Sequence, residues 1–155
     1  MVGGKLDDID KKILNQLQQD ARISMGKLAG LVNVTQTPVA ERINKLEEHG
    51  FIERYVTLLD RNKAGRPVLV NLFVKLDPQT SDTLQKFEDV VKTLPEVQAV
   101  FVVSGAWNFI LHVSAKSPQD YFTFLMDHIS ALSFVAQTDS AFVLKECKSY
   151  GPIVL

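Results

Sequence analysis

The chain reads as α+β, an N-terminal helix-turn-helix domain followed by a C-terminal ferredoxin-like βαββαβ domain. Three observations predict this. In the first third, apolar residues recur at helical spacing in three short blocks, with only Val32-Asn33-Val34 between the second and third. From Val68 onward the apolar period switches to two, and strand-like and helix-like stretches follow one another as βαββαβ. Between the halves, Lys63-Ala64-Gly65-Arg66-Pro67 has the Gly and Pro punctuation of a linker. The expected boundaries are 1–50 for the helix-turn-helix, 51–67 for a strand and linker, and 68–155 for the ferredoxin-like domain.

The first helix starts after Asp7, a capping residue, and carries Ile9, Ile13, Leu14 and Leu17 on one face. Ser24 caps the second, with Met25, Leu28, Ala29 and Val32, and Thr35 caps the third, with Val39, Ile43 and Leu46. Asn33 tolerates the left-handed conformation of a tight turn, and a link this short forces the two helices to cross at a large angle. Gly50 ends the third helix, and Phe51 to Leu59, rich in Ile, Tyr, Val and Leu, reads as a strand.

In the second half Val68, Val70, Leu72, Val74 and Leu76 alternate. Leu84, Phe87, Val91 and Leu94 then mark a helix that Pro95 stops. Val97 to Val103 and Trp107 to Ala115 alternate on either side of Ser104-Gly105, and Ser117-Pro118 opens a helix through Leu132. Gln137 to Glu146 is the last strand. With both helices on one side of the sheet, the other side would carry Leu69, Phe73, Val100, Val102, Ile110 and Phe142 or its neighbours, an apolar surface that predicts a partner.

Composition narrows the function. The 155 residues hold 17 Lys+Arg and 18 Asp+Glu, 46% hydrophobic residues and one cysteine. A chain this long should bury about 70% of its extended surface on folding. No apolar run approaches the ~20 residues of a membrane helix, and residues 1–10 have no secretory pattern, so a soluble cytoplasmic protein is expected. Lone Cys147 forms no intramolecular disulfide and has no neighbouring base to make it a nucleophile, and His49, His112 and His128 lack metal-ligand spacing. The charge of −1 divides into +2 through Arg66 and −3 beyond it. The helical half is the basic one.

In a helix-turn-helix the second helix enters the major groove with its N-terminal residues foremost. At 100° per residue Val39, Ile43 and Leu46 define the buried side of the third helix, so Thr37, Glu41, Asn44 and Lys45 point away, with Thr35 and Gln36 at its start. Gln36 and Thr37 are candidates for base edges, and Arg42 and Lys45 for phosphates, with Arg22 and Lys27 flanking the second helix. An ordinary solvated helix face has the same polar stripe. In the second domain Ser104, Gly105, Ala106, Trp107 and Asn108 form a turn where Gly105 lets backbone N–H groups approach a carboxylate, and the last strand adds Thr138 and Ser140. A plain hairpin with Trp107 as interface packing is the alternative.

Three stretches together resemble the Lrp/AsnC family of leucine- and asparagine-responsive "feast/famine" transcription regulators. They are Leu6-Asp7-Asp8-Ile9-Asp10-Lys11-Lys12-Ile13-Leu14 with Asp20-Ala21-Arg22-Ile23-Ser24; Thr37-Pro38-Val39-Ala40-Glu41-Arg42-Ile43-Asn44-Lys45-Leu46-Glu47-Glu48-His49-Gly50-Phe51-Ile52; and Val103-Ser104-Gly105-Ala106-Trp107-Asn108-Phe109 ahead of a helix and a last strand. The resemblance spans Leu6 to about Lys148. It implies double-stranded DNA as a partner, self-association through the sheet to dimers and often octamers, and a small effector, commonly an amino acid, at a domain interface. It implies no catalytic residue, metal or cofactor. Many members carry an acidic residue where this chain has Asn108, and often another at Ala106, so an effector's ammonium would meet only neutral acceptors here. An effector-free architectural DNA-binding protein is the first alternative. The second is a decarboxylase of modified tetrapyrroles, which also resembles this family. Its anionic substrates call for Arg or His in the second domain, where no Arg and only two His follow Arg66.

Overall fold

The computed structural model describes residues 5–149 and 151–155 and divides the chain into two compact units. One contains the residues up to Leu58 together with the tail from Cys147; the other runs from Leu59 to Glu146. The expected domain at 68–155 thus yields its tail to the helical unit. Gln18 shows why: its Nε2 donates to the Ile153 carbonyl at 3.1 Å and its Oε1 accepts from the Ile153 N–H at 2.6 Å.

The helical unit holds α1 (Asp8–Gln19), α2 (Met25–Val32) and α3 (Gln36–Glu48). Asp7 and Asp10 form a reciprocal capping box on α1, each carboxylate accepting the other's backbone N–H, and the Ser24 hydroxyl caps α2. Thr35 stands at the N-cap of α3 without a side-chain capping bond. Ile13, Leu28 and Val39 are fully buried at the centre of a cluster completed by Leu14, Ala29, Val32, Ile43 and Leu46. Each large side chain removed from water there contributes about 1.5–3 kcal/mol.

Phe51 to Leu59 is not a strand. After two bends it continues without regular secondary structure or ladder partners, leaving Val56, Leu58 and Leu59 more than 60% exposed. Strand-forming residues alone do not make a strand; a neighbouring edge must accept its hydrogen bonds, and among the described residues none does.

The second unit is built from β1 (Val68–Leu76), α4 (Ser81–Val91), β2 (Val97–Val102), β3 (Phe109–Ala115), α5 (Pro118–Phe124) and β4 (Val135–Phe142), so the βαββαβ order is observed. The backbone of α5 continues as a π-helical segment, Leu125–Ser130. The sheet order is β2-β3-β1-β4 with every pair antiparallel, the ferredoxin-like arrangement. Val70, Leu72, Val74, Phe109, Leu111 and Val113 lie fully buried beneath the helices, which contribute Phe87, Val91, Tyr121, Phe124 and Ile129.

Two register details redraw the other face. The β2–β3 register shifts between Val97 and Ala99, so Val100 and Val102 pair with Leu111 and Phe109 on the helix side, while Ala99 and Phe101 face outward. Phe142 pairs with Val70 and sets its ring 5.3 Å from that of Tyr121, also on the helix side. Val100, Val102 and Phe142 therefore leave the expected outer face, which keeps Leu69, Phe73 and Ile110 and gains Phe101, with His112 opposite Asn71.

Candidate nucleic-acid interface and effector turn

The turn between α2 and α3 rests on Asn33, in the left-handed conformation with φ 56° and ψ 41°. Val34 N–H donates to Ala29 O at 3.1 Å and closes α2 behind it. With Val39, Ile43 and Leu46 sealed against the core, the opposite side of α3 is in solvent. Thr35, Gln36, Thr37, Glu41, Asn44 and Lys45 are all exposed, as are Arg22 and Lys27. Among the described residues Arg22, Lys27 and Lys45 make no ion pair, so these three cations are available to phosphates.

Arg42 is paired. Its Nη1 lies 2.6 Å from Asp7 Oδ2 and 2.6 Å from Asp10 Oδ1, tying α3 to the capping box of α1. An internal ion pair competes with the expected phosphate contact, because two carboxylates 32 and 35 residues upstream converge on the guanidinium. The Asp10 backbone N–H and the Arg42 guanidinium together hold the Asp7 carboxyl below its ordinary value. The spacing of Asp7, Asp10 and Arg42 on two helices carries no sign of this; only the packing of α1 on α3 does.

A second contact missed in the sequence fixes the exit from α3. Tyr55, in the irregular segment after α3, donates its hydroxyl to Glu47 Oε1 at 2.8 Å. Partial burial, with the Glu47 carboxylate second, pushes the Tyr55 hydroxyl up to about 12.

The β2–β3 turn is closed by Val103 N–H donating to Asn108 O at 2.9 Å. Gly105 adopts φ +119°, a backbone region that other residues rarely enter, while the space around it is open. Conformation, not close packing, requires glycine here. Among the described residues the N–H groups of Ser104, Gly105, Ala106 and Trp107 have no hydrogen-bond acceptor, and Trp107 packs on Phe73 of the outer face at 5.9 Å. Asn108 is largely committed: its N–H donates to Val74 O at 2.9 Å and its Oδ1 accepts from Leu76 N–H at 2.8 Å, fastening the end of β1.

Thr138 and Ser140 do not join that turn on one face. They pair with Val74 and Leu72 on the helix side, and the Ser140 hydroxyl bonds Tyr121 Oη at 2.6 Å. Alternation along β4 puts both under the helices, whereas Trp107 and Phe73 look out from the opposite surface.

A helix-turn-helix unit joined to a ferredoxin-like domain with an open, amide-rich turn defines a class: a DNA-binding regulator with a ligand-binding domain. Residues 6–47 match the AsnC-type helix-turn-helix domain and residues 69–153 the Lrp/AsnC ligand binding domain. The chain belongs to the Lrp/AsnC family of transcription regulators. It is 36% identical to the Bkd operon transcriptional regulator of Pseudomonas aeruginosa over 141 residues, 91% of this chain and 92% of that one. It is 33% identical to the leucine-responsive regulatory protein of Escherichia coli over 153 residues, 99% and 93% of the two chains. Among solved structures, a transcriptional regulator from Neisseria meningitidis in complex with L-Met superposes with a TM-score of 0.91 at 26% identity, covering 96% of each chain. An AsnC family regulator from Agrobacterium tumefaciens gives 0.87 at 32% identity, covering 93% and 94%. The chain is thus a DNA-binding transcription regulator carrying a domain of the Lrp/AsnC ligand-binding type, and no helix among the described residues is long and apolar enough to cross a membrane.

Proposed function

We propose that this regulator reads specific DNA through α3, works as an oligomer in the cytoplasm, and responds to an apolar amino acid at the β2–β3 turn. The observation that carries the reading is the free outer side of α3 above its buried Val39, Ile43 and Leu46. Gln36 and Thr37, foremost on the helix, contact base edges, with Thr35 beside them; Asn44 and Glu41 extend that face, and Lys45, Arg22 and Lys27 neutralise phosphates.

At the turn, the unpartnered amides of Ser104 to Trp107 offer donors to a carboxylate, and the Trp107–Phe73 pair offers an apolar ledge to a side chain. The Neisseria regulator solved with L-Met supports an apolar amino acid as the effector class. Within the turn itself the ammonium meets only neutral oxygens, among them the remaining lone pair of Asn108, and neutral contacts contribute roughly half of what a charged partner does; the one carboxylate on the same face beside the ledge is that of Asp139, paired with Phe73 across β1 and β4. Asn108→Asp keeps an acceptor for Leu76 N–H and adds charge, so it should tighten binding. Calorimetry of the full chain with L-Met, L-Leu and L-Lys tests this: heat from the apolar pair, strengthened by Asn108→Asp, is expected. If no amino acid gives heat at millimolar concentration with either protein, the effector-free architectural reading takes precedence. The bond from Leu76 to Asn108 favours that second reading, since it takes up the turn's one side-chain carbonyl.

The outer sheet face, with Leu69, Phe73, Phe101 and Ile110, is the surface proposed for self-association into a dimer and, from there, an octamer or other higher assembly.

A further inference from the structure

Two glycines lie inside α2, Gly26 and Gly30, although glycine is the poorest helix former after proline. Neither has a positive φ that would call for glycine. A Cβ on Gly30 would meet nothing within 4 Å. A Cβ on Gly26 would stand 3.3 Å from Nε2 of Gln36, the first residue of α3. That separation is closer than side-chain carbons ordinarily come to a neighbour, and it involves the working end of the Gln36 side chain. The bare backbone at Gly26 is therefore where the Gln36 carboxamide rests.

We propose that Gly26 is a specificity-determining position: by leaving α2 without a side chain beside Gln36, it sets where the Gln36 carboxamide is held for reading a base. The inference rests on the reading of α3 as the base-contacting helix. A glutamine reads adenine by donating from Nε2 and accepting at Oε1 at once, and both bonds hold only within a window of about 2.7–3.2 Å. A methyl at position 26 must push the carboxamide aside by a few tenths of an ångström, a sizeable part of that window. A larger side chain occupies the resting place altogether. Gly26 touches no base on this account; it is a positioning residue that acts through Gln36.

The prediction is graded. A bidentate contact of this kind discriminates its base pair on the order of 5- to 100-fold against the wrong one. Gly26→Ala should lose part of that discrimination and Gly26→Leu most of it. Both replacements are better helix formers than glycine, so α2 is kept and loss of fold is not the cause.

The experiment uses the full chain and a pool of randomised double-stranded DNA. The sequence selected by the wild type is re-measured with each base pair of the site replaced in turn. Wild type, Gly26→Ala, Gly26→Leu, Gly30→Ala, Gln36→Ala and the double variant Gly26→Leu/Gln36→Ala are compared, with circular dichroism as a check on helix content. The expected result is that Gln36→Ala flattens the preference at one base pair, that Gly26→Leu flattens the same one, and that the double variant is no worse than Gln36→Ala. Gly30→Ala should leave every preference as it was. If Gln36→Ala flattens a position and Gly26→Leu does not, or if the double variant loses much more than Gln36→Ala, the role given to Gly26 is wrong while the reading of α3 stands. If Gln36→Ala changes no preference, the base contact of α3 itself is wrong, and the role of Gly26 goes with it.

Discussion

One guanidinium nitrogen of Arg42 meets two carboxylates, one of which also caps α1 through the Asp10 N–H, so removing Arg42 should act on the helical unit before it acts on DNA. Arg42→Ala is expected to lower the melting temperature and the affinity for DNA while leaving the salt dependence unchanged, because no phosphate contact is lost. Lys45→Ala should do the reverse: an unchanged melting temperature, and a slope of log affinity against log salt reduced by about 0.9. Salt titrations of both variants beside the wild type decide between these roles, and a reduced slope in Arg42→Ala would return Arg42 to the phosphates. The same triad has a pH signature. Asp7 is held below its ordinary 3.8 in the folded chain, so its contribution is fully present above that value and is lost as pH falls through the depressed one. Thermal melts of the wild type should weaken below about pH 4, the ordinary carboxylate range. Arg42→Ala, already without the ion pair, should show a shallower loss; parallel curves for the two proteins would contradict the assignment.

Secondary structure follows from local chemistry where a segment closes its own hydrogen bonds, and fails where a neighbour must supply them. The caps at Asp7, Ser24 and Ser117 and the buried stripes of α1 to α3 are legible in the sequence because each helix is built from residues three and four apart. The strand expected at Phe51 to Leu59 needed a partner edge, and the faces of β2 depended on a one-residue irregularity near Gln98 that alternation cannot reveal. At the candidate site the exposed side of α3 was readable for the same local reason. The engagement of Arg42 by α1, of Asn108 by β1 and of Ser140 by Tyr121 was not, since each joins residues brought near only by the fold. The open surroundings of Gly30 give a test at this scale. Gly30→Ala should stabilise α2 by roughly 0.5–1 kcal/mol, the ordinary helix-propensity difference. Denaturant titration showing destabilisation instead would mean that a neighbour occupies the space beside Gly30.

The chain has two separate apolar cores, one among α1, α2 and α3 and one between the sheet and its helices, and neither accounts for the outer sheet face. On that face Phe73, Ile110 and Leu69 are half-buried by their own neighbours, while Phe101 remains 48% exposed. Around them the face is not uniformly oily: His112 stacks edge-on to Phe101 at 5.3 Å, and Lys75, Gln137 and Asp139 run along the β1–β4 side. Such a mixture, apolar at β3 and charged toward β4, is what an interface with a polar rim looks like from one side. The full chain is therefore expected to be oligomeric at micromolar concentration, and association should depend on the apolar part. A carboxylate at Ile110 would have to be buried without a partner in any complex that covers β3, which costs far more than an exposed substitution. Light scattering of Ile110→Asp should show a smaller assembly than the wild type. Asp139→Asn, on the rim, should leave the mass unchanged, and circular dichroism of Ile110→Asp should still report the folded sheet, because its side chain points away from the core beneath the helices. A wild type that scatters as a monomer, or an Ile110→Asp variant that retains the full mass, would remove this face from the assembly.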